Sequence, residues 1–332
     1  MKILNCTEKP FGVFGIPFWE ESKLFARLPE KLCEEIPRLK YVGRRCPGAR
    51  IGFRTDAEEF TVRMTLKTLS PDIGMSIYAC QSTVVMIGDR ENPIFAGLVN
   101  PPDYKTKVFE RTFCKSNRME EVTLWLLRNE EIEKIELVFP DKAMIEEPTP
   151  YQFGPALFYG SSITEGGCCS SVANNYIALL SRWLDMDFYN FGFSGSALGE
   201  IEVADYINTI DFSVFVMDYD HNAPTAEYLQ KTHEPFFRRI REKKPDIPIL
   251  LLARTGFDNW CDSDERRQIV KKTYENAVAA GDRNVYYIAP EEYWGKRDCR
   301  LYTVDRTHPN DLGFYRMAEA IFPVMKKMLR MT

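Results

Sequence analysis

The chain has 332 residues, 45% hydrophobic and 27% charged, which is enough for about two domains of ~100–200 residues with real cores and excludes a disordered chain. Its net charge of −5, with no basic run interleaved with aromatics, argues against a nucleic-acid partner. The N-terminus lacks a signal-peptide core and no stretch approaches the ~20 apolar residues of a membrane span, while nine scattered cysteines without a CxxC pair signal neither disulfides nor zinc; reduced thiols in a cytoplasm are the expectation.

Residues 1–48 read as irregular, with a helix expected over 22–36. From 49 to 139 the period is two. Phe60, Val62, Met64 and Leu66 share one face of a strand, and Thr61, Arg63, Thr65 and Lys67 the other. Further strands are expected over 74–80, 82–88, 106–113, 121–127 and 132–139, separated by Gly, Asn, Pro and Asp breakers. Short strands without intervening helices predict a β-sandwich or jelly roll.

The proline-rich stretch 144–155 reads as a boundary, giving a β-domain over 1–148 and an α/β domain over 149–332. Beyond it, short apolar runs at 155–160, 187–193, 212–219, 247–253 and 284–290 alternate with helical patterns, Tyr176, Ile177, Leu180 and Leu184 among them. That alternation predicts a five-stranded, doubly wound parallel sheet of flavodoxin-like type. Ligands of such sheets bind beyond the carboxyl ends of the strands. Those ends carry Gly160-Ser161-Ser162, the glycine turn around Gly195, and Asp220-His221-Asn222. The loop after the last strand carries Asp305-Arg306-Thr307-His308. A serine, a glycine turn, an amide, and an aspartate three residues before a histidine are the parts needed for acyl transfer.

These blocks resemble those of the SGNH hydrolases, the GDSL-type esterases and lipases. The first block, Gly160-Ser161-Ser162-Ile163, has serine where the family has aspartate, and the third keeps only Asn222. The stretches "YGSSITEGG" and "NFGFSG" look closer to the acetylxylan-esterase-like branch, in which a jelly roll precedes the hydrolase domain. The resemblance implies Ser162 as nucleophile, His308 as general base and Asp305 as its orienting carboxylate, although some such esterases use a backbone carbonyl for the last role. It implies an oxyanion hole from the Ser162 and Gly195 N–H groups and the Asn222 amide. No cofactor or metal is called for.

Ser161 is expected to be a turn or capping hydroxyl, and His233 a packing residue. His221 is either pocket-lining or structural. Trp260 and Trp294, in loops after the fourth and fifth strands, suit either sugar stacking or core anchoring. Cys168 and Cys169 are expected to be buried, with a pocket-side position open. The expected partner is a small-molecule or oligosaccharide ester, with homo-oligomerisation left open. A serine esterase that deacetylates a carbohydrate is the leading expectation. A broad short-chain esterase or lysophospholipase-like hydrolase, and an inactive carbohydrate-binding homologue, are the alternatives.

Overall fold

The computed structural model describes residues 1–72, 74–254, 262–294 and 297–331. Its first part is built on two antiparallel sheets. One has the strand order Lys2–Asn5, Ile132–Phe139, Glu59–Leu66, Val108–Cys114. The other runs Ile145–Glu146, Arg50–Thr55, Glu120–Trp125, Thr83–Ile87, Ile94–Val99, with Gly12–Phe14 added to Arg50–Thr55. Phe53, Phe60 and Phe139 meet edge to face or stacked between them, at centroid separations of 5.7–6.1 Å. The inward alternation read for Phe60, Val62, Met64 and Leu66 holds; all four are buried.

Several local expectations fail here. Residues 74–80 do not form a strand: Ser76 caps a helical turn, Ile77–Cys80, by accepting from Tyr78 N–H at 3.2 Å. Seven residues are too few for alternation to outweigh a serine cap. The helix expected over 22–36 is broken by Lys23, which is left-handed, and Pro29, leaving Trp19–Ser22 and Glu30–Glu35. Residues 1–48 are not wholly irregular, since Lys2–Asn5 pairs with Ile132–Phe139. The strand Ile94–Val99 follows Pro93 and lacks alternation, so it escaped the pattern.

The second part is a five-stranded parallel sheet: β1 (Phe153–Gly160), β2 (Met186–Gly192), β3 (Val214–Asp218), β4 (Ile249–Leu252) and β5 (Val285–Ile288). The order is β2-β1-β3-β4-β5, the flavodoxin-like arrangement. The strands are short apolar runs because helices cover both faces. On one face lie α1 (Tyr176–Leu184) and α5 (Asp311–Met328), and on the other α2 (Ile201–Asn208), α3 (Ala226–Lys243) and α4 (Ser263–Ala279). No helix among the described residues is long and apolar enough to cross a membrane. The β-rich part packs against β2. Arg50 is wholly buried, pairs with Asp187, and lies 4.0 Å from the Phe188 ring centroid.

Strand order reverses between β1 and β3, so their ends open a crevice. Beneath it Asp218 closes β3, fully buried against the Thr164 hydroxyl (3.0 Å) and the Tyr176 hydroxyl (3.3 Å). Burial first, then the neighbouring Asp220, pushes its carboxyl up to about 8 against those hydrogen bonds. Asp218 is therefore held protonated at neutral pH, whereas in the unfolded chain it ionises near ~3.9. Between those values the folded state binds more protons, so this group's stabilising contribution falls as pH rises from about 4 and is lost above about 8. Asp218→Asn keeps the shape without the titration. Thermal melts should show the variant gaining on wild type between pH 5.5 and 8.5, and an unchanged difference would show that Asp218 is ionised in the fold.

Candidate active site

The site starts at the end of β1. Ser161 is wholly buried, and its Oγ accepts from Ile163 N–H at 3.2 Å, capping the single turn Ser162–Glu165. It is a structural hydroxyl, as the sequence suggested. Ser162 is half-buried and faces out of the same turn. Its Oγ lies 2.7 Å from His308 Nε2. His308 Nδ1 lies 2.6 Å from Asp305 Oδ2, and Asp305 Oδ1 accepts from the backbone N–H groups of His308 (2.7 Å) and Thr307 (2.9 Å). Burial raises the Asp305 carboxyl, but these N–H groups outweigh it and hold the group below its ordinary value. An ionised carboxylate then accepts a hydrogen bond from Nδ1–H and leaves Nε2 as the acceptor for the serine hydroxyl.

This loop is fixed from two sides. Asn310 caps α5 through Gly313 N–H (3.1 Å) while its Nδ2 donates to Leu301 O (2.8 Å). Asp311 accepts from Ser170 N–H at 2.8 Å, tying the triad loop to the segment behind Ser162.

Gly195 follows β2 at φ +65°, a left-handed turn conformation that glycine adopts without cost. No acceptor for its N–H, or for that of Ser162, occurs among the described residues. Asn222 follows β3. Ala197 N–H donates to its Oδ1 at 3.3 Å, which fixes the amide and leaves Nδ2 as the free donor. Glu165 Oε2 accepts from Ser194 N–H at 2.8 Å. The segments of Ser162, Gly195, Asn222 and His308 are thus joined by hydrogen bonds into one constellation.

His221 adjoins this group. Arg254 Nη2 lies 3.1 Å from its Nδ1, and a guanidinium can only donate, so the ring proton sits on Nε2. Burial first, then the Arg254 charge, keeps the ring well below the ordinary histidine value, so His221 is neutral. His233 is buried on Thr273 (2.8 Å) and stacks on Tyr219, as packing required. Cys169 is buried, and Cys168 is half-buried with its thiol raised by burial and then by the Asp305 charge. Trp294 is a correction. It is 1% exposed, packs on Tyr302 at 5.7 Å beneath α5, and cannot stack a sugar. The helical turn Pro290–Trp294 turns it inward against Gly313. Trp260 lies outside the described residues. Among the described residues no group of three His, Cys, Asp or Glu side chains could hold a metal ion.

Sequence reasoning missed Glu165 and Arg27. Glu165 was in plain view, three residues after Ser162. Arg27 lies 135 residues away from Ser162 in a stretch with no motif, and no local signal marks it.

No curated protein sequence matches this chain. Solved structures do. A Bacteroides ovatus protein described as a GDSL-like lipase matches at TM-score 0.87 and 24% identity, covering 99% of this chain and 98% of that one. Salicylyl-acyltransferase SsfX3 from a tetracycline biosynthetic pathway matches at TM-score 0.80 and 19% identity, covering 98% and 97%. A family two carbohydrate esterase from Cellvibrio japonicus matches at TM-score 0.65 and 13% identity, covering 99% and 98%. At these identities the likeness shows the fold, which here includes the β-rich part as well as the parallel sheet. The sequence signature of the GDSL-like lipase/acylhydrolase family matches residues 154–326, just over half of the chain and the whole parallel sheet. The protein belongs to that family and is a carboxylic ester hydrolase.

Proposed function

We propose that the protein is a serine esterase that removes acetyl groups from a carbohydrate, with Ser162 as nucleophile. The observation that carries the reading is the unbroken chain Ser162 Oγ, His308, Asp305 beside two N–H groups with no acceptor among the described residues. Ser162 Oγ attacks the ester carbonyl while its proton passes to His308 Nε2. The oxyanion is held by the N–H groups of Ser162 and Gly195 and by Asn222 Nδ2, each such donor supplying about 10²–10³ in turnover. His308 then protonates the departing sugar oxygen. Water, deprotonated by His308, then attacks the acetyl-serine, and His308 returns that proton to Ser162 Oγ as acetate leaves. Asp305 stabilises the imidazolium throughout.

The carbohydrate part of the reading draws on the shared two-part architecture with the family two carbohydrate esterase and on polar groups around the site. His221 Nε2–H, next to Asn222, suits a sugar hydroxyl. A second reading, a short-chain esterase with little interest in sugars, is favoured by Leu301 and Val304. They are 70% and 57% exposed on either side of Tyr302 and Thr303, just ahead of Asp305.

Ser162→Ala should lower turnover by about 10⁴-fold or more and abolish labelling by a fluorophosphonate probe mapped by peptide mass. Ser161→Ala should keep most activity and cost about 1 kcal/mol of stability through the lost cap. If Ser161→Ala is the dead variant, the nucleophile is assigned one residue too late. Asp305→Asn should fold yet lose most turnover, because an amide disfavours the imidazole tautomer that accepts from Ser162. Full turnover would leave a Ser162–His308 dyad. Catalytic efficiency on p-nitrophenyl esters should fall steeply from acetate to octanoate. Each methylene is worth about 0.8 kcal/mol only where an apolar groove buries it. Efficiency that climbs with chain length would favour the second reading.

A further inference from the structure

We propose that Arg27, from the β-rich part of the chain, acts with Glu165 as a pair of positioning residues that aim the Gly195 N–H at the reacting carbonyl. The proposal rests on the assignment of Gly195 to the oxyanion hole.

Arg27 is 0% exposed. Its Nη1 donates to Asn190 O (3.1 Å) and to Gly192 O, at the end of β2. Its Nη2 donates to Val42 O (2.7 Å) and its Nε to Arg45 O (3.1 Å), in its own part of the chain. One guanidinium therefore bridges two carbonyls of the N-terminal part to two carbonyls three and five residues before Gly195. The same group lies 5.0 Å from the Phe193 ring centroid. Burial pushes its pKa down to about 10, which leaves it charged at neutral pH. The countercharge is Glu165, 1% exposed, with Oε1 3.8 Å from Nη2.

Glu165 makes the second link. Its other oxygen accepts from Ser194 N–H, and the residue belongs to the turn that begins at Ser162. Phe193 N–H donates to Gly160 O at 2.8 Å, and Arg38 Nε reaches Ser196 O at 3.4 Å. Backbone groups of residues 190, 192, 193, 194 and 196 are all anchored from outside their segment, while the Gly195 N–H between them has no acceptor among the described residues. A donor free to bind substrate thus sits in a backbone that cannot drift. Neither Arg27 nor Glu165 bonds to Ser162 Oγ or His308, so any effect on chemistry passes through the aim of the donor. A misplacement of about 1 Å can cost ~10² in rate. Lysine cannot substitute, because one ammonium nitrogen cannot span four carbonyls on two sides of a fork.

The test uses the full-length protein. Arg27→Lys, Glu165→Gln and Arg38→Ala are compared with wild type and Ser162→Ala on p-nitrophenyl acetate. Fluorophosphonate labelling rate, affinity for a simple boronic acid and melting temperature are measured alongside. Arg27→Lys should lower kcat by about 10²-fold, and Glu165→Gln by about tenfold, with KM within about twofold. Labelling rate and boronic acid affinity, which report the tetrahedral oxyanion, should fall in the same proportion. Arg38→Ala, a change at an exposed side chain, should fold normally and lower kcat severalfold, so the proposal stays open to refutation if Arg27→Lys does not fold. Wild-type kcat in the variants that fold, or a loss confined to KM or melting temperature, would overturn the clamp. Turnover retained in Ser162→Ala would instead overturn the site assignment on which it rests.

Discussion

The site depends on one close approach. The turn Ser162–Glu165 lies directly on the end of β2, where a Cβ added to Gly192 would meet Glu165 N at 2.0 Å. No other residue fits there without moving the turn. Because the turn sits flat on the strand, Ser162 faces the crevice, Glu165 reaches back under Ser194, and Asn190 Nδ2 donates to Thr164 O at 3.0 Å. The nucleophile turn and the oxyanion segment are therefore one packed unit. His308 and Asn222 are brought to it by loops that are themselves pinned to neighbouring strands and helices.

Around that contact the chain buries far more polarity than a simple core would. Arg27, Arg50, Glu165 and Asp218 are all almost fully buried. A buried charge is costly unless paired and hydrogen-bonded. The protein answers in two ways. The arginine guanidiniums are met by carbonyls, carboxylates and, for Arg50, the Tyr151 hydroxyl. Asp218 is held neutral by its burial and by the neighbouring Asp220, against the hydrogen bonds from its two hydroxyl partners. The first solution produces rigidity at the junction of the two parts, and the second avoids burying a further charge under the crevice.

The parallel sheet was legible because its strands, covered on both faces, are short and mostly apolar. The Asp305-x-x-His308 pair was legible because it is local: three residues let one carboxylate hold both the ring and the backbone of the histidine. The nucleophile turn could be read because small residues after a strand are what a tight turn on a neighbouring strand demands. What was not legible is long-range. Trp294 and Trp260 carry the same kind of sequence context, yet Trp294 is buried by Gly313, a residue that periodicity does not connect to it. The run 74–80 alternates like a strand, and only Ser76 argues otherwise. Arg27 looks like one more charge in a helical stretch until Asn190 and Gly192 are seen on the other side of it.

The treatment of β2 bears on how the molecule avoids its own copies. β2 is an outermost strand, and such a strand offers unpaired backbone groups to any passing chain. Here several of those groups near its end are answered by side chains. Asp187 Oδ1 takes Phe188 N–H (2.7 Å), Asn190 Oδ1 takes Gly192 N–H (2.9 Å), and Arg27 fills the carbonyls of Asn190 and Gly192. The N-terminal arginine is thus also a plug against strand addition. Cutting the β-rich part away would uncap a ready template for intermolecular pairing, and the parallel sheet produced alone would be prone to aggregate.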